Sequence, residues 1–312
     1  MGAVLLFAFS LITTSTGPTG EALLTAPGCV PGWYRNDDVR SELKRFNAPW
    51  KAVISVRGCT VRVLGSQEDF KRFESLGYRV TMLPPPPLGG SYEDWGSVRN
   101  FIVDQVSRNG DVAQLVVFGY TTSGLPLYGI TVEGPGGEDL PLIRVTGGHH
   151  GNERISVENA LSILRWLLTE EGRAWLSVYR FQVIPVVNPE GYVADTRHNG
   201  EGVDLNRNYG FGWESGDTIN PFSEPETVSV SRISWLSPAL LQLDYHSAAE
   251  YVNTVFDYTP AASEDEALIL DIGDIYAGFA GLETVVGYDW YQATGSSQDF
   301  HCALEGSVAS TI

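Results

Sequence analysis

Residues 144–158 read RVTGGHHGNERISVE, and this stretch decides the fold of the chain. An apolar run that begins at residue 142 ends in a pair of glycines, and a helical apolar pattern starts after residue 153. The pattern predicts a buried strand that leads through a loop into a helix. The loop carries His150 and Glu153, and the first turn of a helix brings residues with this spacing to one face. A neutral imidazole and a carboxylate on one face can bind one zinc ion together.

A third ligand must come from elsewhere in the chain, because two ligands hold zinc poorly. The five histidines stand at positions 149, 150, 198, 246 and 301, and His246 ends another apolar run, residues 240–245. His246 therefore lies at the exit of a predicted strand, as His150 does, and open α/β sheets bind ligands at the carboxyl ends of their strands. We predict a zinc site of His150, Glu153 and His246 whose fourth position is left to water. Each histidine taken singly is more simply interpreted as a loop or partly buried residue.

The composition is that of an acidic globular protein. The chain has 312 residues, 43% of them hydrophobic, and 38 acidic against 20 basic residues give a net charge of −18. This charge argues against nucleic acid and anionic membranes as partners. The acidic residues are spread along the chain, which is typical of a surface that keeps a protein in solution.

Residues 1–20 predict a secretory signal peptide, and hence a secreted protein. The apolar run 1–12 is shorter than the roughly 20 residues that a bilayer-spanning helix needs, and no second candidate span follows. No Lys or Arg precedes the run, and the alternative is a buried N-terminal strand. In an exported protein Cys29 and Cys59 could form a disulfide, which would leave Cys302 over.

Residues 28–83 predict a small α/β domain. Strands are predicted at residues 51–56, 60–64 and 78–83, with a helix at 67–76. Four prolines and two glycines in residues 84–90 predict a linker that ends this domain. Such a domain ahead of a hydrolytic one is either a pro-segment that covers the active site or an ordinary accessory domain.

Residues 91–312 predict a larger α/β domain. Helical patterns alternate with short apolar runs, which indicates a central mixed or parallel sheet with helices on both faces. The predicted helices are 92–107, 155–168, 224–236 and 264–279, and the predicted strands are 113–118, 127–132, 142–145, 179–187 and 240–245.

Four segments, taken in their order along the chain, are informative about function. They are His150-Gly-Asn-Glu153, Asn188-Pro-Glu-Gly-Tyr192, Thr196-Arg197-His-Asn with the following Asp-Leu-Asn206-Arg207-Asn-Tyr, and Asp244-Tyr-His246-Ser247. With the later Tyr291-Gln-Ala-Thr-Gly-Ser-Ser-Gln298-Asp-Phe, this order resembles the zinc carboxypeptidases over about residues 91–312. Jointly the motifs are specific, although each alone is weak.

The resemblance implies an enzyme that binds one Zn²⁺ per chain through His150, Glu153 and His246. It would hydrolyse the C-terminal peptide bond of peptides or proteins with metal-activated water, and we expect a monomer. Arg207 with Asn206 would hold the substrate carboxylate, since a guanidinium fork pairs bidentately with a carboxylate. Arg197 would stabilise the oxyanion that develops at the scissile carbonyl. Tyr291 would close over the bound residue, and Gln298 would lie at the floor of the specificity pocket.

The sequence departs from the family pattern at the general base. The family's base is a Glu on a strand after the Tyr291 segment, and the chain ends Ser310-Thr311-Ile312, which resembles the residues just before that Glu. We therefore expect a domain that is incomplete at its C-terminus and little or no activity of the 312-residue chain by itself. Gln298 is neither acidic nor apolar, which leaves the side-chain preference open.

Two alternatives remain at this point. The first is a non-catalytic module that keeps zinc and the carboxylate clamp of Arg207, and the missing base favours it. The second is an N-acyl amino acid deacylase of the aspartoacylase type, which also uses His-Gly-Asn-Glu and an Asp-Leu-Asn-Arg run. The Asn188 and Tyr291 segments and the export signal favour the peptidase.

Overall fold

The computed structural model describes residues 19–25, 53–57, 60–66, 71, 74–75, 79–82, 92, 94–214 and 220–312. The chain forms two compact units, Met1–Ser91 and Tyr92–Ile312. None of the helices among the described residues is long and apolar enough to cross a bilayer. Most of the predicted signal peptide, the predicted linker 84–90, Cys29 and Cys59 lie outside the described residues.

The first unit contains a four-stranded antiparallel sheet. Its strands are β1 (Thr19–Thr25), β2 (Val53–Arg57), β3 (Thr60–Ser66) and β4 (Arg79–Met82), in the spatial order β2-β3-β1-β4. β1 pairs with both β3 and β4. The predicted end of the signal peptide at residue 20 therefore falls inside a strand.

The second unit is built on an eight-stranded mixed sheet. The strands are β5 (Ala113–Tyr120), β6 (Pro126–Val132), β7 (Leu142–Thr146), β8 (Arg180–Ile184), β9 (Leu241–Asp244), β10 (Tyr251–Thr254), β11 (Glu283–Val286) and β12 (Val308–Thr311). Their spatial order is β11-β10-β12-β9-β7-β8-β6-β5. The central strands β8, β7, β9 and β12 run parallel to one another, and β5 and β6 add an antiparallel edge.

Helices cover both faces of this sheet. The α-helices are α1 (Trp95–Arg108), α2 (Arg154–Leu167), α3 (Glu170–Ala174), α4 (Pro189–Ala194), α5 (Pro225–Leu236), α6 (Glu266–Ala280), α7 (Gly287–Trp290) and α8 (Ser297–Glu305). Val183 and Ile184 are neighbours on β8, so their side chains point to opposite faces. Val183 packs with residues of α1 and α2, and Ile184 packs with residues of α5 and α8. The predicted mixed α/β fold is confirmed; β10, β11, β12, α3, α4, α7 and α8 were not predicted.

The sheet face under α5 and α8 carries a polar row in its middle. Arg144 on β7 lies in register with Gln182 on β8 and Gln242 on β9. Its guanidinium is fully buried, donates to Gln182 at 2.7 Å, and forms an ion pair with Glu305 of α8 at 3.3 Å. The same group donates to Ser234 Oγ of α5 at 2.8 Å. A buried charge with these partners anchors α8, which begins beside the candidate site.

Candidate active site

The three predicted metal ligands meet at the carboxyl ends of two adjacent parallel strands. Thr146 of β7 lies in register with Asp244 of β9, so the loops that carry His150 and His246 leave the sheet side by side. Glu153 lies one residue before α2. His150 Nδ1 is 2.8 Å from Glu153 Oε1, and His246 Nδ1 is 2.9 Å from Glu153 Oε2. The two imidazole Nδ1 atoms are 3.1 Å apart.

This group fits a zinc ion. One ligand atom from each of the three side chains lies within 4.8 Å of the other two. Two imidazole nitrogens and a carboxylate form a donor set that zinc prefers, with room for a further ligand. Two imidazole nitrogen atoms 3.1 Å apart are close enough to bind one cation together.

Asp204 joins the metal ligands to Arg197. Its Oδ1 lies 3.0 Å from His150 Nε2, and its Oδ2 accepts from Arg197 Nε at 2.9 Å. A carboxylate on the outer nitrogen of a histidine fixes the tautomer, so that the inner nitrogen offers its lone pair to the metal. We did not predict this residue from the sequence, although it stands two positions before Asn206 in the recognised segment.

The charged neighbours of Glu153 and Asp204 keep both carboxylates ionised. Burial opposes ionisation of Glu153, yet His246 and His150 outweigh burial and hold the pKa of its carboxyl well below the usual range. Burial also opposes ionisation of Asp204, and here His150 and Arg197 lower the pKa. Both carboxylates therefore remain ionised at neutral pH, as ligands and their supports must.

Asn206, Arg207 and Tyr291 lie together beside the metal group. Asn206 and Arg207 belong to a single 3-10 turn, Leu205–Arg207. Asn206 Oδ1 accepts from the Ser297 backbone N–H at 2.8 Å, which leaves its Nδ2 3.4 Å from His246 Nε2. Arg207 Nη2 donates to the Tyr291 hydroxyl at 3.1 Å. The structure thus brings the predicted carboxylate clamp and the predicted closing tyrosine into contact.

Arg197 lies at the rim of the metal group. Its Nη1 is 3.2 Å from His150 Nδ1 and 3.5 Å from Glu153 Oε1, and its side chain is 34% exposed. A partly exposed guanidinium in this position can reach a substrate oxygen that approaches the metal.

Gln298 is hydrogen-bonded to a buried carboxyl group, that of Asp257. Its Nε2 donates to Asp257 Oδ1 at 2.9 Å, and the same oxygen accepts from Asn253 Nδ2 at 2.9 Å. Asp257 is only 5% exposed, and its backbone N–H donates to Asp299. Burial raises the pKa of Asp257, and burial together with the Asp257 carboxylate raises the pKa of Asp299 to about 8. We missed Asp257 because it follows β10, a four-residue strand without a clear pattern.

The fold and this site define an α/β protein with a candidate metal centre at the carboxyl ends of parallel strands, next to an arginine clamp. Residues 98–312 match the family model described as zinc carboxypeptidase, and the chain belongs to that family. The resemblance inferred from the motifs is thereby confirmed.

Individual relatives agree with this assignment. The metallocarboxypeptidase A-like protein of Trichophyton verrucosum is 28% identical in an alignment 251 residues long, and the match covers 67% of this chain and 59% of that protein. Carboxypeptidase O of Homo sapiens is 26% identical in an alignment 252 residues long, and the match covers 69% of this chain and 65% of that protein. The match thus spans less than two thirds of the length of either relative.

A solved structure shares the fold. The crystal structure of thrombin activatable fibrinolysis inhibitor (TAFI) superposes with a TM-score of 0.70 and 17% sequence identity. The superposition covers 94% of this chain and 90% of that one. This likeness concerns the fold alone.

Proposed function

We propose that the protein is a zinc-dependent metallocarboxypeptidase that hydrolyses the C-terminal peptide bond of peptides and proteins. The observation that carries the proposal is the convergence of His150, Glu153 and His246 beside the Arg207–Tyr291 pair. A metal centre by itself would fit many hydrolases. The half-buried guanidinium of Arg207 beside it adds a site for a free carboxylate such as the one at the end of a peptide chain.

The metal ligands would hold one zinc ion, which when bound polarises a carbonyl group and lowers the pKa of water to about 7. Asp204 keeps the Nε2–H of His150 engaged at 3.0 Å, so the Nδ1 lone pair points to the metal. Glu153 accepts in addition from the Ser247 backbone N–H at 3.1 Å, which fixes the carboxylate between the two histidines.

The substrate would bind by its terminal carboxylate. Arg207 would pair with the two oxygens, and Asn206 Nδ2 would donate to one of them. Tyr291, already 3.1 Å from Arg207, would lie over the terminal residue. Arg197 would then face the carbonyl oxygen of the scissile bond and stabilise the charge that develops there.

The pocket for the terminal side chain favours a cation. Asp257 is a buried carboxylate whose Oδ1 accepts from two neutral amides, those of Asn253 and Gln298. Neutral donors compensate a buried charge only in part, and a substrate ammonium or guanidinium would complete the compensation. We infer a preference for C-terminal lysine or arginine.

The test compares the wild type with His246→Ala. We expect the 312-residue chain to retain one zinc ion, and a form that also carries the general-base Glu to release arginine from a blocked dipeptide. His246→Ala should lose both properties. His198→Ala is the matched control, because His198 is exposed and lies outside the metal group. Full hydrolysis by His246→Ala without metal would refute the proposal.

The same assay separates the alternatives. Tight binding of peptide C-termini with no product would favour the non-catalytic module. Faster cleavage of an N-acyl amino acid than of the blocked dipeptide would favour an aspartoacylase-type deacylase.

We also propose that the protein acts outside the cell as a monomer, with residues 28–83 as its pro-segment. The apolar run 1–12 and the acidic surface support export. N-terminal sequencing of protein collected from culture medium tests export and the pro-segment role, and gel filtration tests the monomer. A mature N-terminus between residues 84 and 91 is expected, and intact residues 28–83 in active enzyme would contradict the pro-segment role.

A further inference from the structure

His149 is a histidine with no assigned role directly beside the ligand His150. Its side chain is fully buried, and its Nε2 lies 2.9 Å from the hydroxyl of Tyr209. The side chain of His150, by contrast, takes part in the metal group. The two adjacent histidines therefore have different hydrogen-bond partners, and the His149 ring lies in the interior beside the metal group.

The first neighbour of His149 is the ligand His246. The two rings are almost parallel, with an interplanar angle of 17° and centroids 5.6 Å apart. His150 meets the same ring edge-on, with centroids 4.7 Å apart. Offset stacking of this kind limits rotation of the His246 imidazole, and so its Nδ1 stays directed at Glu153 and His150.

The second neighbour is Tyr209, three residues after Asn206. Tyr209 is fully buried and packs against Phe300 at 5.4 Å between ring centroids. Its backbone N–H donates to Gly295 O at 3.0 Å, which ties it to the segment that follows Tyr291. The hydrogen bond between Tyr209 and His149 therefore links the segment that carries the carboxylate clamp to the metal loop.

We propose that His149 is a positioning residue with two roles that can be tested separately, and each role is one part of the proposal. Its ring holds the plane of His246 for zinc, and its Nε2, through Tyr209, sets the position of the Asn206–Arg207 turn relative to the metal. The second part rests on the proposed function, whereas the first requires only that the protein binds zinc.

Three variants separate these parts. His149→Phe keeps an aromatic ring and removes the nitrogen, Tyr209→Phe removes only the hydroxyl, and His149→Leu removes both ring and nitrogen. Zinc affinity is measured by competition with a chelator, and ligand geometry by the visible absorption of the Co²⁺-substituted protein. The clamp is measured by the affinity of the zinc-loaded protein for free arginine.

We expect His149→Leu to weaken zinc binding about 3- to 10-fold and to shift the Co²⁺ spectrum, as for the loss of one aromatic pair. His149→Phe and Tyr209→Phe should keep zinc affinity within about 2-fold. Each should weaken arginine binding about 2- to 10-fold, which corresponds to the free energy of one hydrogen bond. The double variant should lose no more affinity for arginine than either single variant does.

Val230→Ala is the control for a general loss of packing. Val230 is fully buried in the same apolar cluster as Tyr209 but lies on α5, outside the metal group. It should lower the Tm as much as His149→Leu does and leave zinc affinity and the Co²⁺ spectrum unchanged.

Equal zinc affinity of His149→Leu and wild type, or an equal loss in Val230→Ala, would overturn the role toward His246. Additive losses in the His149→Phe, Tyr209→Phe double variant would overturn the link to the clamp. The zinc and Co²⁺ measurements do not depend on hydrolysis, so they stand even where the proposed peptidase activity fails.

Discussion

Replacement of Asp257 by Asn should change the substrate preference of the proposed carboxypeptidase, measured in a form that carries the general-base Glu. Asn keeps the size of the side chain and an oxygen that can accept from Gln298 and Asn253, but it removes the buried negative charge. A substrate guanidinium at roughly 4 Å from the carboxylate gains about 4 kcal/mol at an effective dielectric constant of about 20. Part of this gain is offset when the substrate cation leaves water, so we expect a net loss of about 2–3 kcal/mol in the variant.

This free energy corresponds to a fall of roughly 30- to 150-fold in kcat/KM for a dipeptide ending in arginine. A matched dipeptide ending in leucine should be cleaved by Asp257→Asn at least as fast as by the wild type. Asp271→Asn on α6 is the control, because it removes one exposed charge away from the site. An equal loss for both substrates would refute the reasoning, since it would mean that Asp257 only supports the structure.

The pH dependence provides a second check on Asp257. Burial raises the pKa of Asp257, and Asp299 beside it has a pKa raised to about 8, so the pair holds a proton at lower pH. A bound cation favours the ionised form of both carboxyls. Affinity for the arginine substrate should therefore rise with pH up to about 8 and then level off, while affinity for the leucine substrate stays flat. The rise should be smaller in Asp257→Asn, where only Asp299 remains to titrate.

Three further predictions concern the metal site and stability. Asp204→Asn should weaken zinc binding about 10- to 100-fold in a chelator competition, because His150 loses the carboxylate on its outer nitrogen; an unchanged affinity would contradict that role. Burial raises the pKa of Glu226 from 4.5 to about 7. Protonation of this carboxyl group therefore stabilises the fold fully below pH 4.5, and the stabilisation is lost as the pH rises through 7. Glu226→Gln should therefore raise the free energy of unfolding by the order of 3 kcal/mol near pH 8 and change it little near pH 5, as measured in urea. Arg144→Met should cost about 3–5 kcal/mol in the same assay, and adding Glu305→Gln should recover much of that loss; a double variant less stable than the single one would argue against the buried pair.

Much of the candidate site could be predicted because its signals are local. His150 and Glu153 stand at helical spacing after an apolar run, and His246 ends a second such run. Because parallel strands present their carboxyl ends at one edge, two separate segments could be placed side by side without knowledge of the fold. The Arg207 clamp followed from the resemblance and lies next to Tyr291 in the structure.

The parts that could not be predicted depend on short elements or unusual burial. β10, β11 and β12 have four residues each, too few for a periodic pattern to stand out. α8 buries Ser, Gln, Asp and His in its first turns, so the sequence of its buried face does not show the apolar pattern expected of a buried helix face. Asp257 lies between two of these elements, and the acidic character of the pocket was missed for that reason.

The alternation of strands and helices and the family could be read from the sequence, and the three metal ligands could be predicted from it, since each depends on residue types at fixed spacing along the chain. Folding alone brings Asp204 between His150 and Arg197, buries Arg144 against Glu305 and places His149 against Tyr209. The physical reason is that the partner of a polar side chain is chosen by packing between elements distant in sequence. A buried charge or imidazole has no local signature, because its stability comes from groups that the chain brings together only when it folds.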